Sequence, residues 1–405
     1  MQKISVIGQG YVGLTLAIGA ANAGYEVIGV DVNAKLVEEL SKGQTHVPGI
    51  TKDEIKSLIL SKKYKPTTSF DNISNSSIIV IAVPTPLNED RSPNLEFLRD
   101  ASLKIANSSK SRALIINEST SYPGTLRNFI KPLIESETNL DFFYASAPER
   151  IDPASKDWNL GNTPRIIGGL TKEATEKASE FYSSFCTKIH CVSSPEVAEA
   201  AKLFENTFRQ INIALANEFS LISSALGFST NEAIMAASTK PFGFMPFSPS
   251  IGVGGHCIPV DPSYLSYASK EVGVQANLIE LANKINLSMA KHVTEKISEY
   301  LDQPLANLKI QVIGIAYKPD VADIRESPAL TLISELRSKG ANVCWNDPLV
   351  GEWNGETSTP LDPKIELGLI VTPHQKIDLN IWKNANTRVL DLSANSENYG
   401  WPKFL

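Results

Sequence analysis

Sulfur is scarce in this sequence and positive charge is in deficit. Four cysteines occur in 405 residues, Cys186, Cys191, Cys257 and Cys344, too few and too unevenly spaced for a disulfide framework or a zinc cage. No metal site is expected, and any special cysteine should act as a thiol. Lys and Arg total 38 against 44 Asp and Glu, a formal charge of −6, so no basic field attracts nucleic acid or an anionic membrane surface. No apolar run approaches the ~18 residues that a membrane span needs. The opening residues run from Met1 straight into an apolar strand, which leaves no room for a signal peptide and makes the cytoplasm the expected location. What remains is an ordinary globular composition in a chain long enough for two or three domains.

Present instead is one dense stretch, Ser248-Pro-Ser-Ile-Gly-Val-Gly-Gly-His-Cys-Ile-Pro-Val-Asp-Pro262. Gly252, Gly254 and Gly255 precede Cys257, and glycine lets the backbone take positive φ or approach a ligand closely. Asp261-Pro262 reads as an N-cap and first helical residue, with Gly273 closing a helix over Ser263 to Val272. Cys257 therefore enters a helix N-terminus, where partial positive charge favours thiolate. Two readings stay open for it from the residues alone, a nucleophile or a small apolar residue filling a Gly-Pro turn.

At the start of the chain, the Lys3 to Ile7 strand ends in Gly8-Gln-Gly10-Tyr-Val-Gly13. A helical run stopped by Gly24 follows, and a second strand, Glu26 to Val30, delivers Asp31. Strand, glycine turn, helix, strand and terminal acid in about 30 residues form a dinucleotide-binding unit. Asp31 would accept hydrogen bonds from a ribose diol and repel a 2′-phosphate, which favours NAD over NADP. Further strands are expected at Ser77 to Val83, Arg112 to Asn117, Tyr144 to Ala147 and Arg165 to Gly169. Thr85 and Thr120 follow the first two, at strand ends that would face the nicotinamide half of the cofactor. Glu149 follows the third, either as an acid or base in the cleft or as an ion pair with Arg150.

Ser194-Pro195-Glu196 opens a helix reaching Ala225. Val197, Ala201, Phe204, Phe208, Ile211 and Leu215 recur at three and four, the spacing of a core stripe. Lys202 and Asn206 lie one turn apart on another face. Ala276 to Leu301 holds no Pro or Gly and reads as one long helix, a spine and an expected subunit interface. The strand-helix rhythm then restarts, with strands at Leu308 to Ala316, Ala341 to Asn346, Ile365 to Val371 and Thr387 to Leu392. Lys318 and Arg325 follow the first of these, either as a cationic pair for a phosphate-bearing ligand or as partners of Asp320, Asp323 and Glu326.

These motifs, in this order and over essentially the whole chain, resemble the UDP-glucose/GDP-mannose dehydrogenase family. The resemblance rests on Gly8-Gln-Gly-Tyr-Val-Gly13, Val83-Pro-Thr-Pro86, Glu118-Ser-Thr120, Pro148-Glu149, Lys202 with Asn206, Gly254-Gly-His-Cys257 with Asp261, and Tyr317-Lys-Pro-Asp320 with Arg325. It implies an α/β fold with two Rossmann-like parallel-sheet domains joined by a helical central domain with a long connecting helix. The expected bounds are 1–192 for NAD binding, 193–301 for a central, dimer-forming domain and 302–405 for the UDP-sugar. It also implies two successive NAD-dependent oxidations of a nucleotide-sugar C6 alcohol through a covalent Cys257 adduct. Lys202 and Asn206 would stabilise oxyanions, and Thr120, Glu149 and Asp261 would position or activate water. Gly8, Gly10, Tyr11, Val12, Gly13, Asp31, Thr85, Thr120 and Arg325 would hold NAD. Glu149, Arg150, Lys202, Asn206, Gly252, Gly254, Gly255 and Lys318 would meet the UDP-sugar.

Three positions depart from the UDP-glucose pattern. Val260 stands where a cofactor-contacting lysine is expected, Pro153 where a glutamate is expected, and Asp391-Leu-Ser393 lacks an arginine. The Gly-Gly-His-Cys-Ile-Pro-Val-Asp-Pro run instead resembles the branch acting on UDP-N-acetylmannosamine or UDP-N-acetylglucosamine. UDP-glucose oxidation, and a non-catalytic relative binding NAD and a nucleotide sugar, stay open as alternatives.

Overall fold

The computed structural model describes residues 2–151, 157–375, 377–394 and 399–405, so Pro153 lies outside the described residues. The chain divides into two compact units, Met1–Glu205 with Ser263–Val274, and Asn206–Pro262 with Gln275–Leu405.

The first unit is built on an eight-stranded sheet. Its strands are β1 (Lys3–Ile7), β2 (Glu26–Val30), β3 (Tyr64–Thr67), β4 (Ile78–Ile81), β5 (Leu114–Asn117), β6 (Phe143–Ser146), β7 (Arg165–Gly169) and β8 (Ile189–Cys191). They lie in the order β3-β2-β1-β4-β5-β6-β7-β8. Side chains alternate across the sheet: Ile78 and Val80 of β4 join the core with Leu14 and Phe181, and Ile79 and Ile81 join the one with Leu98 and Ile130. Both faces are thus covered by helices, as a doubly wound sheet requires. β3 carries Pro66, which removes a ladder donor, and the strand sits at the sheet edge where that loss is tolerated. β1 through β6 run parallel, but β7 pairs with β6 antiparallel, a reversal that apolar patterning does not encode.

The second unit holds a four-stranded parallel sheet. Its strands are β9 (Lys309–Ile313), β10 (Asn342–Asn346), β13 (Leu367–Ile370) and β14 (Val389–Asp391), in the order β10-β9-β13-β14, with a small hairpin of β11 (Glu352–Trp353) and β12 (Glu356–Thr357). Met289, Val293 and Ile297 of the 25-residue Asn277–Leu301 helix share a core with Ile310, Val312 and Leu332. That helix ends where Asp302 turns left-handed at φ 50°.

The Pro195–Leu226 helix corrects the reading of its apolar stripe. Val197, Phe204, Phe208 and Leu215 are 43%, 68%, 42% and 61% exposed, and the buried side chains include Glu199, Lys202, Leu203, Gln210, Ala214 and Asn217. Periodicity locates a face but not which way it turns. The polar face goes inside because its groups find partners: Gln210 donates to Asn283, Asn217 donates to Asn286 at 2.9 Å, and Asn217 accepts from the Ser250 amide at 2.7 Å.

Candidate active site

The glycine turn after β1 is shaped for a pyrophosphate. Gly8 has φ 91°, and a Cβ there would lie 2.3 Å from the Ala82 carbonyl oxygen; one on Gly13 would lie 1.9 Å from the Gly8 oxygen. Nothing stands within 4 Å of a Cβ on Gly10, which is exposed, so backbone there is open to a ligand at the start of the Tyr11–Asn22 helix. Asp31 caps the turn, its carboxylate accepting from the Gln9 amide at 2.7 Å and the Asn33 amide at 2.9 Å. The buried Gln9 side chain is fixed in turn by Tyr64 Oη, which donates to it at 2.7 Å. The residues therefore fit NAD, with Tyr11 and Val12 half-buried on the helix's first turn. Thr85 sits beyond β4, where its carbonyl accepts from Tyr264 Oη at 3.1 Å.

A polar cluster occupies the ends of β5, β6 and β7. Glu149 is 8% exposed and accepts from Arg165 at 2.9 Å and from the amides of Arg150 and Ile151 at 2.6 and 2.7 Å. Burial pushes its carboxyl up, but Arg165 and the two amides outweigh burial and hold it below the ordinary carboxylate range. Arg165 also lies 3.2 Å from Glu118, which accepts from Tyr182 Oη at 2.5 Å and is pushed by burial up to about 7 against the pull of Arg165. The reversal of β7 creates this cluster. Ala145 pairs with Gly169 and Ser146 with Gly168, and continuing that antiparallel register brings Arg165 opposite Glu149. The expected alternative partner, Arg150, instead pairs with Glu205 and donates to the Pro164 carbonyl at 2.9 Å.

Lys202 is 8% exposed and its Nζ donates to Thr120 Oγ1 at 2.6 Å, so the two are brought together. One turn earlier, the buried Glu199 accepts from the amides of Gly124 and Leu126 at 2.8 and 3.1 Å and thereby ties down the chain that follows Thr120.

In the second unit, Cys257 is half-buried, so it is not core filler. Its carbonyl accepts from the amides of Val260 and Asp261 at 3.1 and 2.8 Å. A turn from Cys257 thus leads into the Asp261–Glu271 helix, and Asp261 is its first residue rather than its N-cap. Asp261 is instead fully buried, and its carboxylate accepts from Asn206 Nδ2 at 2.6 Å. Gly252 has φ 138° and Gly255 φ 88°; Cβ atoms on Gly254 and Gly255 would each lie 2.8 Å from Tyr317. These glycines give the tyrosine room, a packing reason beside the ligand reason. Arg325 is exposed and paired with Asp323, with Nη2 also 3.2 Å from His256 Nδ1. Lys318 is half-buried on the same loop.

Sequence reasoning missed Arg165, Tyr182 and Glu199 and took Glu118 as a turn residue. Signals existed, an arginine opening an apolar strand and an acid three residues before Lys202, but their partners lie far away in the chain. Among the described residues, no group of three or more His, Cys, Asp or Glu side chains is arranged to hold a metal, and no helix is long and apolar enough to cross a membrane.

Comparison with known proteins bears on all of these elements. Residues 2–186 match the NAD-binding domain, 196–288 the central domain and 311–391 the UDP-binding domain of the UDP-glucose/GDP-mannose dehydrogenase family. The chain is 37% identical over 359 residues to the UDP-N-acetyl-D-mannosamine dehydrogenase of Pyrococcus horikoshii, covering 86% of this chain and 84% of that one. It is 32% identical over 356 residues to the UDP-N-acetyl-D-glucosamine 6-dehydrogenase of Pseudomonas aeruginosa, covering 86% and 83%. The solved structure of the UDP-D-ManNAc dehydrogenase from Pyrococcus horikoshii superposes with a TM-score of 0.87 at 31% identity, over 99% of this chain and 98% of that one. A dinucleotide turn, a buried acid cluster, a half-buried cysteine on a glycine loop and three matched domains in sequence thus place this chain in the UDP-glucose/GDP-mannose dehydrogenase family, as an NAD-dependent nucleotide-sugar dehydrogenase.

Proposed function

We propose that this enzyme oxidises the C6 alcohol of a UDP-N-acetylhexosamine, UDP-ManNAc or UDP-GlcNAc, to the uronate in two successive steps. The observation that carries the reading is Cys257, half-buried in the turn that leads into the Asp261–Glu271 helix, whose buried first residue Asp261 is engaged by Asn206. NAD, when bound, accepts a hydride in each step.

The residues divide the work by charge. The first oxidation leaves an aldehyde, whose trigonal carbon cannot release its hydrogen as hydride until a nucleophile adds. The Cys257 thiolate adds to it, and the resulting thiohemiacetal is tetrahedral again. The Asn206 amide, aimed by its bond to Asp261, would stabilise the adduct's oxyanion, a role the family resemblance also assigns to the Lys202 ammonium. Lys202 is itself held by Thr120. Loss of the second hydride gives a thioester on Cys257. Water attack on the thioester releases the uronate and the free thiol, and the family resemblance assigns the water's proton to Glu149, which Arg165 keeps ionised. Asp31 with Gly8, Gly10 and Gly13 would hold the cofactor, and Lys318, Arg325 and the Gly252 to Gly255 loop would serve the ligands of the second unit.

The working division we propose is an NAD domain over 1–192, a central domain over 193–301 and a UDP-sugar domain over 302–405. The exposed apolar stripe of the Pro195–Leu226 helix supports a homodimer formed through the central domain. A cytoplasmic location fits a chain whose described helices cannot cross a membrane.

NAD reduction with UDP-ManNAc, UDP-GlcNAc and UDP-glucose tests the reading. Two NADH per sugar are expected with an N-acetylated substrate, and Cys257→Ser should bind UDP while forming no uronate. One NADH per sugar, or full activity in the serine variant, would remove the covalent step.

A further inference from the structure

The turns after β1 and β9 are built alike, and the difference between them points to a residue outside the proposed chemistry. Gly314 has φ 78° and its amide donates to the Asn346 carbonyl at 2.8 Å, as Gly8 does to Val30. Each neighbouring strand is followed directly by an acid, Asp31 or Asp347. Asp347 is turned inward. Its Oδ2 accepts from the amides of Ile315 and Ala316 at 2.9 and 3.1 Å, its Oδ1 from those of Leu349 and Val350 at 2.9 and 3.0 Å, and its side chain is fully buried.

The remaining partner of Asp347 is His374, which is 4% exposed and follows β13. His374 Nε2 lies 3.0 Å from Asp347 Oδ2, and its Nδ1 accepts from the Asp320 amide at 2.9 Å. An amide can only donate and a carboxylate so surrounded can only accept, so the imidazole is neutral and carries its proton on Nε2. The Gln375 amide returns a bond to Asp320 Oδ1 at 3.0 Å, completing a two-point clip. The clip is needed because Asp320 and Glu326 are non-glycine residues in left-handed conformation, φ 62° and 51°, which is unfavourable without support. Between them the chain is fixed against the cysteine loop. The Tyr317 amide donates to Asp323, the Gly255 amide donates to Arg325 at 3.0 Å, and the Tyr317 ring lies edge-on to His256.

We propose that His374 is a positioning residue for the nucleotide sugar. As the neutral Nε2–H tautomer it holds Asp320 and so sets the 317–326 loop, which carries Lys318 and backs the glycine loop leading to Cys257. The inference rests on the second unit's reading as the UDP site.

Paired isosteres test it. Gln at 374 keeps a donor near Nε2 but loses the acceptor for Asp320; Asn keeps an acceptor near Nδ1 but loses the bond to Asp347. By calorimetry, His374→Gln should weaken UDP binding about tenfold and raise KM for the UDP-sugar with kcat little changed, since the Asp320 amide is left without its acceptor. His374→Asn should stay within about threefold of wild type, and NAD affinity should not move in either variant. A histidine ¹⁵N spectrum of the wild-type protein near neutral pH should show His374 as the Nε2–H tautomer. Equal UDP affinity in wild type and both variants overturns the proposal, as does an equal loss in both that extends to NAD, or an imidazolium in the spectrum. Wild-type protein that binds no UDP overturns the UDP reading and the proposal with it.

Discussion

Replacing Arg165 with leucine should expose how the first unit's acid cluster is balanced. The guanidinium is 4% exposed, lies 2.9 Å from Glu149 and 3.2 Å from Glu118, and donates to the Ala147 carbonyl at 3.3 Å. Without it two carboxyls remain in the interior. Glu118, pushed up to about 7, is already half protonated at neutral pH and becomes neutral with little loss. Glu149 does not, because its acidity now depends on Arg165. Protonating a carboxyl of ordinary pKa 4.5 at pH 7 costs about 3.5 kcal/mol, from about 2.5 pH units at about 1.4 kcal/mol each. That agrees with the ~3–5 kcal/mol typical of breaking a buried pair. The sign follows from the protonation states. In the variant the folded pKa of Glu149 is raised, so the penalty is absent below the unfolded value and grows as pH rises. In the wild type it is depressed, so its stabilisation persists above 4.5 and fades only as pH falls further. The gap between the two proteins should therefore narrow by about 1.4 kcal/mol per pH unit from pH 7 toward 5. Hydrogen exchange of peptides spanning β5 to β7, read by mass spectrometry at each pH, measures the local opening free energy. A gap under about 0.5 kcal/mol at pH 7, small against the ~3–5 of a broken buried pair, would refute the account, and so would a loss that does not vary with pH.

Two further outcomes follow from geometry. Gly13→Ala puts a methyl 1.9 Å from backbone oxygen and should lower thermal stability and abolish NAD binding, whereas Gly10→Ala meets nothing within 4 Å and should fold normally yet bind NAD at least about tenfold more weakly. Thermal melts and NAD titration separate the pair, and normal NAD affinity in Gly10→Ala would argue against pyrophosphate at that turn. Phe204→Glu with Leu215→Glu, both on the exposed stripe, should convert the proposed dimer to a monomer in sedimentation velocity while leaving the fold intact by circular dichroism; an unchanged sedimentation coefficient would reject that interface.

Local chemistry was legible from the residues because its signals are short-range. Only a few dihedral and steric solutions join a strand to a helix through Gly8 and Gly13, so their spacing gave the NAD turn, and punctuation by Gly24, Gly227, Gly273 and Gly340 gave the helix ends. Strand bounds at β1, β2 and β7 agreed to the residue. The partners of the functional groups were not legible. Arg165 meets Glu149 because β7 runs against β6, Glu199 reaches amides 73 and 75 residues away, and His374 finds Asp320 across two loops of one sheet. The apolar stripe of the Pro195–Leu226 helix had the period of a core face and turned outward, since the opposite, polar face held the groups with buried partners. Periodicity and turn chemistry are fixed by neighbours within a few residues; strand direction, and therefore which charges share a low-dielectric interior, is decided when the whole sheet assembles.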